Sequence, residues 1–171
     1  MPDLSRPCTG VLLAAGAGSR LGLGPKALLP YRGLPLVSHV AAELHDGGCH
    51  RVVVVLGCGA AEVAPHVYAF EAVLNPDWES GMGSSFQAGV HAGLGGASEH
   101  DDVMVALVDQ PGVSASLVSR LLARHAAPSR AGEFVTAAGF APSSSVGPLV
   151  RGHPIVFSSE AARQAAAGAS G

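Results

Sequence analysis

The sequence predicts an α/β fold with a mostly parallel sheet. Short runs rich in β-branched residues alternate along the chain with segments of helical periodicity, an order typical of βαβ units. Residues 51–57 and 102–108 are continuous apolar runs, as expected of central strands that are covered on both faces. The length of 171 residues suits one domain with a sizeable core, so we expect a single domain over residues 1–171.

Each element follows from a local pattern. The first strand is predicted at residues 9–14, directly before a glycine-rich loop. A helix is predicted at residues 36–46, because Pro35 suits its start and two glycines follow its end. The other predicted elements are a strand at 51–57, a weaker helix at 60–68 bent near Pro65, a short strand at 72–74, a helix at 84–94, a strand at 102–108, a helix at 114–125, a strand at 133–138 and a capped helix from 158 that fades into small residues.

Composition excludes several classes of protein. Hydrophobic residues make up 48% of the chain and charged residues only 13%, so neither a disordered tail nor a highly charged nucleic-acid arm is expected. The formal net charge of −3 leaves no basic excess to hold a duplex. The three cysteines form no CxxC pair, and no stretch is long and apolar enough for a signal peptide or a membrane span. These features predict a soluble cytoplasmic protein without a nucleic-acid or membrane partner.

The stretch VLLAAGAGSRLGLGPKALLP, residues 11–30, runs from the first strand into a glycine-rich loop that carries Arg20 and Lys26. It is not a Walker A loop, because that motif needs glycine directly before lysine and Ser or Thr after it, whereas Pro25 and Ala27 flank Lys26. It is not a dinucleotide fingerprint either, because the proline and the glycines delay the helix and no acidic residue ends the second strand.

The loop instead has the groups needed to hold a triphosphate. Its backbone N–H groups and two cations are spaced to wrap one, with Arg20 chelating phosphate oxygens and Lys26 placing a positive charge at the phosphate under attack. The alternative is that the glycines serve turns and the cations are solvated. The two basic residues within one glycine-rich loop favour the triphosphate interpretation.

A second candidate site is VALVDQP, residues 105–111, in which Asp109 follows a buried strand. Ligands bind outside the carboxyl ends of strands in open α/β sheets, and a Mg²⁺ ion that bridges nucleotide phosphates takes one or two carboxylates. Asp109 is therefore the candidate metal ligand. A structural role for Asp109 as a cap before Pro111 explains this stretch equally well.

Two further stretches contain candidate residues. In NPDWESGMGSSFQAGV, residues 75–90, glycines lead into a helix that we expect Ser84 or Ser85 to cap. Backbone groups and hydroxyls there could contact a nucleobase, although a simple turn with a good helix cap explains the pattern too. In GPLVRGHPIVF, residues 147–157, His153 could bind metal, move protons or pack, and no HxH or HExxH spacing supports a metal site.

Taken together, LAAGAGSRLGLGPKALLPYRGLPLV, NPDWESGMGSSFQAGV, LVDQP and GHPIVF resemble the MobA-like nucleotidyltransferase family, and within it the molybdenum cofactor cytidylyltransferases. The four motifs occur in the family's order and span nearly the whole chain. The resemblance implies a three-layer α/β/α Rossmann-like sandwich of the nucleotide-diphospho-sugar transferase type. It also implies transfer of CMP from CTP to the phosphate of molybdopterin, with release of pyrophosphate and with Mg²⁺ as the cofactor. A client molybdoenzyme is a further implied partner.

The resemblance also assigns roles to residues by motif. The LAAG start is similar to that of the cytidine-using branch, and the Ala15 methyl would narrow the base pocket. The implied catalytic residues are Arg20, Lys26 and Asp109, of which Asp109 would hold the metal. The implied nucleotide-binding residues are Ala14, Ala15, Gly16, Ala17, Gly18, Arg20, Lys26, Gly83, Ser84 and Ser85.

The sequence departs from the family's pattern at its end. Family members continue with a GDxGAR-like turn and an Asp-Thr-Pro segment, whereas this sequence stops at AAAGASG, so we expect a truncated C-terminus. Two alternatives to the cytidylyltransferase interpretation stay open, and the early end of the sequence supports keeping the second of them. One is a nucleotidyltransferase that uses GTP or another acceptor such as a sugar phosphate, and the other is a non-catalytic chaperone that binds molybdenum cofactor.

Overall fold

The computed structural model describes residues 6–18, 24–127, 134–141 and 148–170. No helix within these ranges combines the length and apolar character needed to cross a membrane. The strands are β1 (Cys8–Leu13), β2 (Pro30–Tyr31), β3 (Leu34–Pro35), β4 (Arg51–Leu56), β5 (Glu71–Leu74), β6 (Asp102–Leu107), β7 (Val135–Phe140) and β8 (Val150–Phe157). The helices are α1 (Leu36–Asp46), α2 (Ala60–Val63), α3 (Met82–Gly93), α4 (Ala115–Ala126) and α5 (Ser159–Gly168).

The main sheet has six strands in the order β5-β4-β1-β6-β8-β7. Neighbouring strands from β5 to β6 are parallel, whereas β8 is antiparallel to both β6 and β7. The predicted mostly parallel sheet is therefore confirmed. Because parallel strands end at the same edge of a sheet, the loops that follow β1, β4, β5 and β6 meet at that edge.

Apolar layers cover both faces of the sheet, which confirms the predicted sandwich. Leu12 and Val54 belong to the layer that includes α1 and α4, whereas Val11 and Val55 belong to the layer that includes α3 and α5. Helix α3 lies very close to β1, because a Cβ on Gly89 would stand only 2.4 Å from Val11 Cγ1. This close approach brings the first turn of α3 to the edge where β1 and β6 end.

Two elements differ from their predictions for local reasons. The helix predicted at 60–68 is shorter: α2 is followed at once by a 3-10 turn, Ala64–His66, that contains Pro65 near its start. The pattern does not predict β8 as a strand, because Gly152 and Pro154 interrupt its apolar alternation. The missed strand matters because it pairs with β6 and so borders the edge described above.

At the other end of the parallel strands, where they begin, Asp102 at the start of β6 lies beside His125 of α4. His125 Nε2 is 3.6 Å from Asp102 Oδ2, and His125 Nδ1 is 2.9 Å from Thr136 Oγ1. The His125 and Asp102 side chains are only 9% and 10% exposed. Burial lowers the pKa of His125, against the opposing effect of the Asp102 charge, and burial likewise raises the pKa of Asp102. Both groups are thus held toward their neutral forms.

Acidification below pH 6.5 is expected to destabilise the fold through His125. In the unfolded chain this histidine takes up a proton near its ordinary pKa of 6.5, whereas in the native state it does so only at lower pH. The unfolded state binds more protons in that window, so stability falls as the pH decreases through it. Thermal melts between about pH 7 and pH 5 should show a falling Tm for the wild type and a flatter profile for His125→Gln. Equally steep profiles would contradict this assignment.

Candidate active site

A cleft of about 430 Å³ opens at the edge where the parallel strands end. Leu13 and Leu107, the last residues of β1 and β6, form its base. One wall is the loop after β1, the opposite wall is the segment that leads into α3, and the residues after β6 complete the lining. Besides the base, the lining residues are Ala15, Gly16, Ala17, Gly18, Lys26, Trp78, Glu79, Gly81, Met82, Ser85, Val108 and Asp109.

The loop after β1 presents unpaired backbone donors to the cleft. The N–H of Ala14 still donates to Val55 O at 3.0 Å, and so belongs to the end of the sheet. The N–H groups of residues 16–18, by contrast, donate to no acceptor within the part of the chain that the structure describes. Successive free N–H groups in a turn form an anion-binding surface. The geometry of this wall therefore suits phosphate oxygens.

Lys26, the only lysine in the sequence, forms an ion pair with Asp109 across the cleft. Its Nζ lies 2.9 Å from Asp109 Oδ2, although the two residues are 83 positions apart. The Lys26 and Asp109 side chains are 35% and 44% exposed, and ion pairs exposed to this extent contribute only about 0–1 kcal/mol to stability. The pair is therefore weak enough for a more highly charged anion to take the place of Asp109 at Lys26.

Gly18 sets how closely the loop packs against Lys26. Its φ of +64° lies in the left-handed region, and a Cβ there would stand 2.8 Å from Lys26 Cγ and 2.9 Å from Gly24 O. Glycine alone satisfies both the conformation and the space. Gly59, also at φ +64°, leaves room in the same way for Pro25, whose Cγ would lie 2.4 Å from a Cβ at that position. The two glycines thus allow their backbone to pack closely against Lys26 and against Pro25, the residue before it.

The substitution Gly18→Ala is expected to weaken nucleoside triphosphate binding by about tenfold, since a misplacement of Lys26 that costs about 1.4 kcal/mol has that effect. It should also lower stability by about 1–2 kcal/mol, the cost of a left-handed conformation for alanine. Titration calorimetry and thermal melts measure the two effects. Gly168→Ala is the matched control, because no atom lies within 4 Å of a Cβ at that position. A Gly18→Ala variant that binds like the control would contradict the role of Gly18.

Asn75 organises the opposite wall through its side chain. Its Nδ2 donates to Ser84 Oγ at 2.9 Å and to Ser85 Oγ at 3.0 Å, and its Oδ1 accepts from the Asp77 N–H at 3.0 Å. The Ser84 hydroxyl is also within 2.9 Å of the carbonyl oxygens of Asp77 and Gly81. These contacts tie the segment before α3 to its first turn. The wall is therefore internally braced before any ligand arrives.

The start of α3 corrects one prediction. The helix begins at Met82 with Gly81 as its N-cap residue, so the expectation that Ser84 or Ser85 caps it is wrong. Gly81 has a φ of +126°, which favours glycine and lets the helix start earlier than the serines suggest. Of the residues predicted to lie near the nucleobase of the substrate, Ser85 lines the cleft, whereas Gly83 and Ser84 do not.

On the β8 side, His153 lies within electrostatic reach of Asp109. Burial lowers the pKa of the His153 imidazole, the Asp109 carboxylate raises it, and the Arg151 guanidinium lowers it. The imidazole is consequently neutral at neutral pH, with one nitrogen that donates and one that accepts. The sequence left binding, proton transfer and packing open for this residue, which interacts electrostatically with Asp109 but does not itself line the cleft.

The acidic residues of the lining are Glu79 and Asp109. Within the described ranges, no group of three or more His, Cys, Asp or Glu side chains could hold a metal ion. Mg²⁺ is usually bound by one or two carboxylates together with substrate phosphates and water, and rarely by a cage made only of protein. The donor set therefore fits a Mg²⁺ ion that arrives with a nucleotide.

Most residues predicted for nucleotide binding lie together in this cleft. Ala14 is buried at the end of β1 behind the lining, and the predicted role of Arg20 falls outside the described residues. Sequence reasoning missed Trp78, Glu79 and Met82 as lining residues. The feature of the sequence that could have indicated them is that they belong to the same motif as Ser85, residues 75–90. The predicted residues that line the cleft are Ala15, Gly16, Ala17, Gly18, Lys26, Ser85 and Asp109.

Comparison with known families gives a match over most of the chain. The model of the MobA-like NTP transferase domain matches residues 10–171. Among solved structures, a nucleotidyl transferase from Methanothermobacter superposes with a TM-score of 0.70 at 24% identity, covering 92% of this chain and 74% of that one. At this identity the structural likeness concerns the fold, and it agrees with the predicted nucleotide-diphospho-sugar transferase type of sandwich.

Two relatives carry names from different enzyme classes. A nicotine blue oxidoreductase from Paenarthrobacter nicotinovorans is 49% identical over 160 residues, which is 92% of this chain and 74% of the relative. A molybdenum cofactor guanylyltransferase from Xanthomonas euvesicatoria is 38% identical over 120 residues, 70% of this chain. The match spans 56% of the length of that guanylyltransferase.

Proposed function

Because the chain belongs to the MobA-like NTP transferase family, we propose that it transfers a nucleoside monophosphate from a nucleoside triphosphate to a phosphorylated acceptor and releases pyrophosphate. The proposed donor is CTP and the proposed acceptor is the phosphate of molybdopterin. The observation that carries the proposal is the weak Lys26–Asp109 ion pair beside the N–H groups of residues 16–18, which have no acceptor among the residues that the structure describes. A cation, a carboxylate and backbone donors in one cleft are what a triphosphate requires.

The proposed reaction is an in-line substitution at the α-phosphorus. An oxygen of the acceptor's phosphate forms a bond to the α-phosphorus, and the bond from that phosphorus to the bridging oxygen breaks, with its electron pair leaving on pyrophosphate. The attacking oxygen is already ionised at neutral pH, so no general base is needed. What the protein supplies is position and charge.

Lys26 and Asp109 exchange partners when the triphosphate enters. Lys26 moves its Nζ from Asp109 to the α-phosphate and stabilises the charge that builds up there. Asp109 is thereby released, and its carboxylate is free to hold Mg²⁺, which when bound neutralises charge on the phosphate oxygens. Arg20, which lies outside the described residues, is proposed to stabilise the departing pyrophosphate.

The proposed preference for CTP rests on Ala15. This residue lines the cleft, is only 4% exposed and packs against the next strand's end, where a Cβ on Gly57 would stand 2.7 Å from Ala15 Cβ. We propose that this methyl takes up space that a glycine would leave to a purine. GTP is the alternative donor, since the relatives of the Xanthomonas type are named as guanylyltransferases.

A second candidate function is an oxidoreductase, and the relative that is 49% identical favours it. The residues of the cleft give it less support. Within the residues that the structure describes, the first α-helix after β1 begins only at Leu36 and follows a 3-10 turn at Lys26–Leu28, and Gly57 and Cys58 follow β4 in place of an acidic residue. A dinucleotide site of the usual kind needs a helix directly after the glycine-rich loop and an acidic residue at the end of the second strand. We therefore rank nucleotidyl transfer first.

The test is an assay of purified protein with Mg²⁺, molybdopterin and CTP, GTP or ATP in turn. We expect pyrophosphate release and a nucleotide attached to molybdopterin, most rapidly with CTP. A parallel reaction supplies nicotine blue and a reduced nicotinamide and follows both absorbances. Dye reduction without pyrophosphate release from any nucleotide would replace the proposal by the oxidoreductase function. Binding of molybdopterin without either reaction would favour a chaperone.

A further inference from the structure

We infer that Arg151 and His153 of β8 form the subsite that receives the anionic group of the acceptor, a phosphate monoester, on the side of Asp109 away from Lys26. The role in transfer rests on the proposed function, whereas binding of the anion can be tested without turnover. The inference concerns residues that neither the motif resemblance nor the relatives assign to a role.

Strand pairing places Arg151 on the face of the sheet that bears the cleft. Val105 pairs with Ile155, and Leu107, two residues after Val105, forms the base of the cleft. Ile155 also pairs with Ala137 of β7, and Gly139, two residues further along β7, pairs with Arg151. Directly paired residues and residues two apart share a face of a sheet. Arg151 therefore lies on the same face as Leu107.

The same register shows that His153 lies in a β-bulge of β8. Between Ala137 and Ala138 the pairing shifts from Ile155 to Gly152, so β8 contains two residues, His153 and Pro154, without a partner on β7. A bulge of this kind bends the strand and redirects its side chains, and bulges occur preferentially beside active sites. Because β8 is antiparallel to β6, this bulge stands beside the carboxyl end of β6, where Asp109 follows. His153 is half-buried there.

Of the charged groups near this end of β6 and β8, Arg151 is the cation available to a second anion. Lys26 pairs with Asp109 at 2.9 Å, His153 feels the charges of both Asp109 and Arg151, and Arg151 is exposed and has no ion pair with a carboxylate in the described ranges. A cation that lacks such a partner on the cleft-bearing face is available to an anionic ligand. The guanidinium of Arg151 can bind two phosphate oxygens, and His153 can donate to a third.

The proposed reaction needs a second positive group at this place. Attack brings an acceptor phosphate toward a triphosphate, and the two anions repel each other unless each is neutralised where it is bound. Lys26 serves the triphosphate, so it does not by itself bind the incoming phosphate. In the sheet, β8 borders β6 on the side away from β1, and Lys26 lies in the segment that follows β1. Arg151 of β8 thus holds the acceptor from the other side of β6 while the acceptor's oxygen bonds to the α-phosphorus and pyrophosphate leaves. Two anions thus have two separate cations.

The test uses the full chain and phenyl phosphate as the probe, with binding measured by titration calorimetry. We expect Arg151→Ala to weaken phenyl phosphate binding by about tenfold to a hundredfold, the effect of losing a charge-assisted pair of hydrogen bonds, with partial recovery in Arg151→Lys. His153→Ala should weaken it less. Binding of CTP should stay within about twofold of the wild type, since a separate cation serves it. Arg120→Ala removes the same charge from an exposed position on α4, the opposite face, and should change neither affinity.

The outcomes separate the subsite from the proposed function. If phenyl phosphate does not bind the wild type, or binds Arg151→Ala and Arg120→Ala equally well, the subsite is overturned. If Arg151→Ala weakens CTP as much as phenyl phosphate, Arg151 belongs to the triphosphate site and the inference is again wrong. Loss of phenyl phosphate binding in a protein that transfers no nucleotide would retain the subsite and reject the transferase. In an active protein, the KM for the acceptor should rise in Arg151→Ala while the KM for CTP is unchanged.

Discussion

Replacing Lys26 with alanine is expected to reduce pyrophosphate release by about 10²–10³-fold, the effect of removing one group that stabilises transition-state charge. Nucleotide binding should be retained in part, because the N–H groups of residues 16–18 remain in place. Turnover suffers more than binding because the charge on the α-phosphate oxygens is greatest in the transition state. Steady-state pyrophosphate release and calorimetric CTP binding, measured on the same preparation, check the two halves of this expectation.

The variant Lys26→Arg is the informative control for this substitution. It keeps the positive charge but changes its shape and reach, so it should restore CTP binding better than turnover. Because Lys26 is the only lysine in the sequence, no other lysine side chain can take over its role. Unchanged pyrophosphate release in Lys26→Ala would remove Lys26 from the mechanism, whatever its effect on binding.

Asp109→Asn is expected to have the second largest effect. The amide keeps the size of the side chain but loses the negative charge that would hold Mg²⁺, so turnover should fall by about 10²-fold or more and should require more Mg²⁺. Without Mg²⁺ the same change should tighten CTP binding, because a carboxylate no longer competes for Lys26 at 2.9 Å. Opposite effects on metal-free binding and on metal-dependent turnover form a signature that simple unfolding does not produce.

A control for Asp109→Asn removes one carboxylate elsewhere. Glu62→Gln on α2 is exposed and does not line the cleft, so neither its Mg²⁺ requirement nor its CTP affinity should change. Titrating Mg²⁺ in both variants at fixed CTP compares them directly. If Asp109→Asn keeps the Mg²⁺ dependence of the wild type, the metal is bound by other groups and Asp109 serves only to hold Lys26.

The sequence predicts the elements that carry their own local signal. The helix at residues 36–46 and the two central apolar runs appear where their patterns indicate. The Lys26–Asp109 ion pair could not be predicted in the same way, because it depends on β6 lying next to β1. An apolar run does not specify its neighbour in the sheet. Once the strand order is known, the segments that follow β1 and β6, which carry Lys26 and Asp109, are expected to lie next to each other.

Other parts of the site were hidden by competing local signals. Gly81 starts α3 earlier than the two serines indicate, so the serines became a bracing network instead of a cap. Gly152 and Pro154 mask β8 as a strand, and with it the place of Arg151 on the cleft-bearing face. In each case a glycine or proline allows a backbone path that the side-chain pattern does not encode.

The two classes of relative make the choice of reaction the central question. A family whose members are named both guanylyltransferase and oxidoreductase keeps one fold while its chemistry differs. The features that bear on this choice are a lysine paired with an aspartate, N–H groups of residues 16–18 that have no acceptor among the described residues, and no acidic residue at the end of β4. The first two suit phosphate groups, and the third argues against a dinucleotide site of the usual kind.

The most direct measurement follows where each phosphate of CTP goes. Two reactions contain the protein, Mg²⁺, molybdopterin and CTP that is radiolabelled either at the α-phosphate or at the γ-phosphate. Attack on the α-phosphorus in the Lys26–Asp109 cleft predicts that the α label moves to molybdopterin and the γ label appears in pyrophosphate, with both transfers lost in Lys26→Ala. Retention of both labels on intact CTP, or transfer of the γ label to the acceptor, would contradict nucleotidyl transfer by this protein.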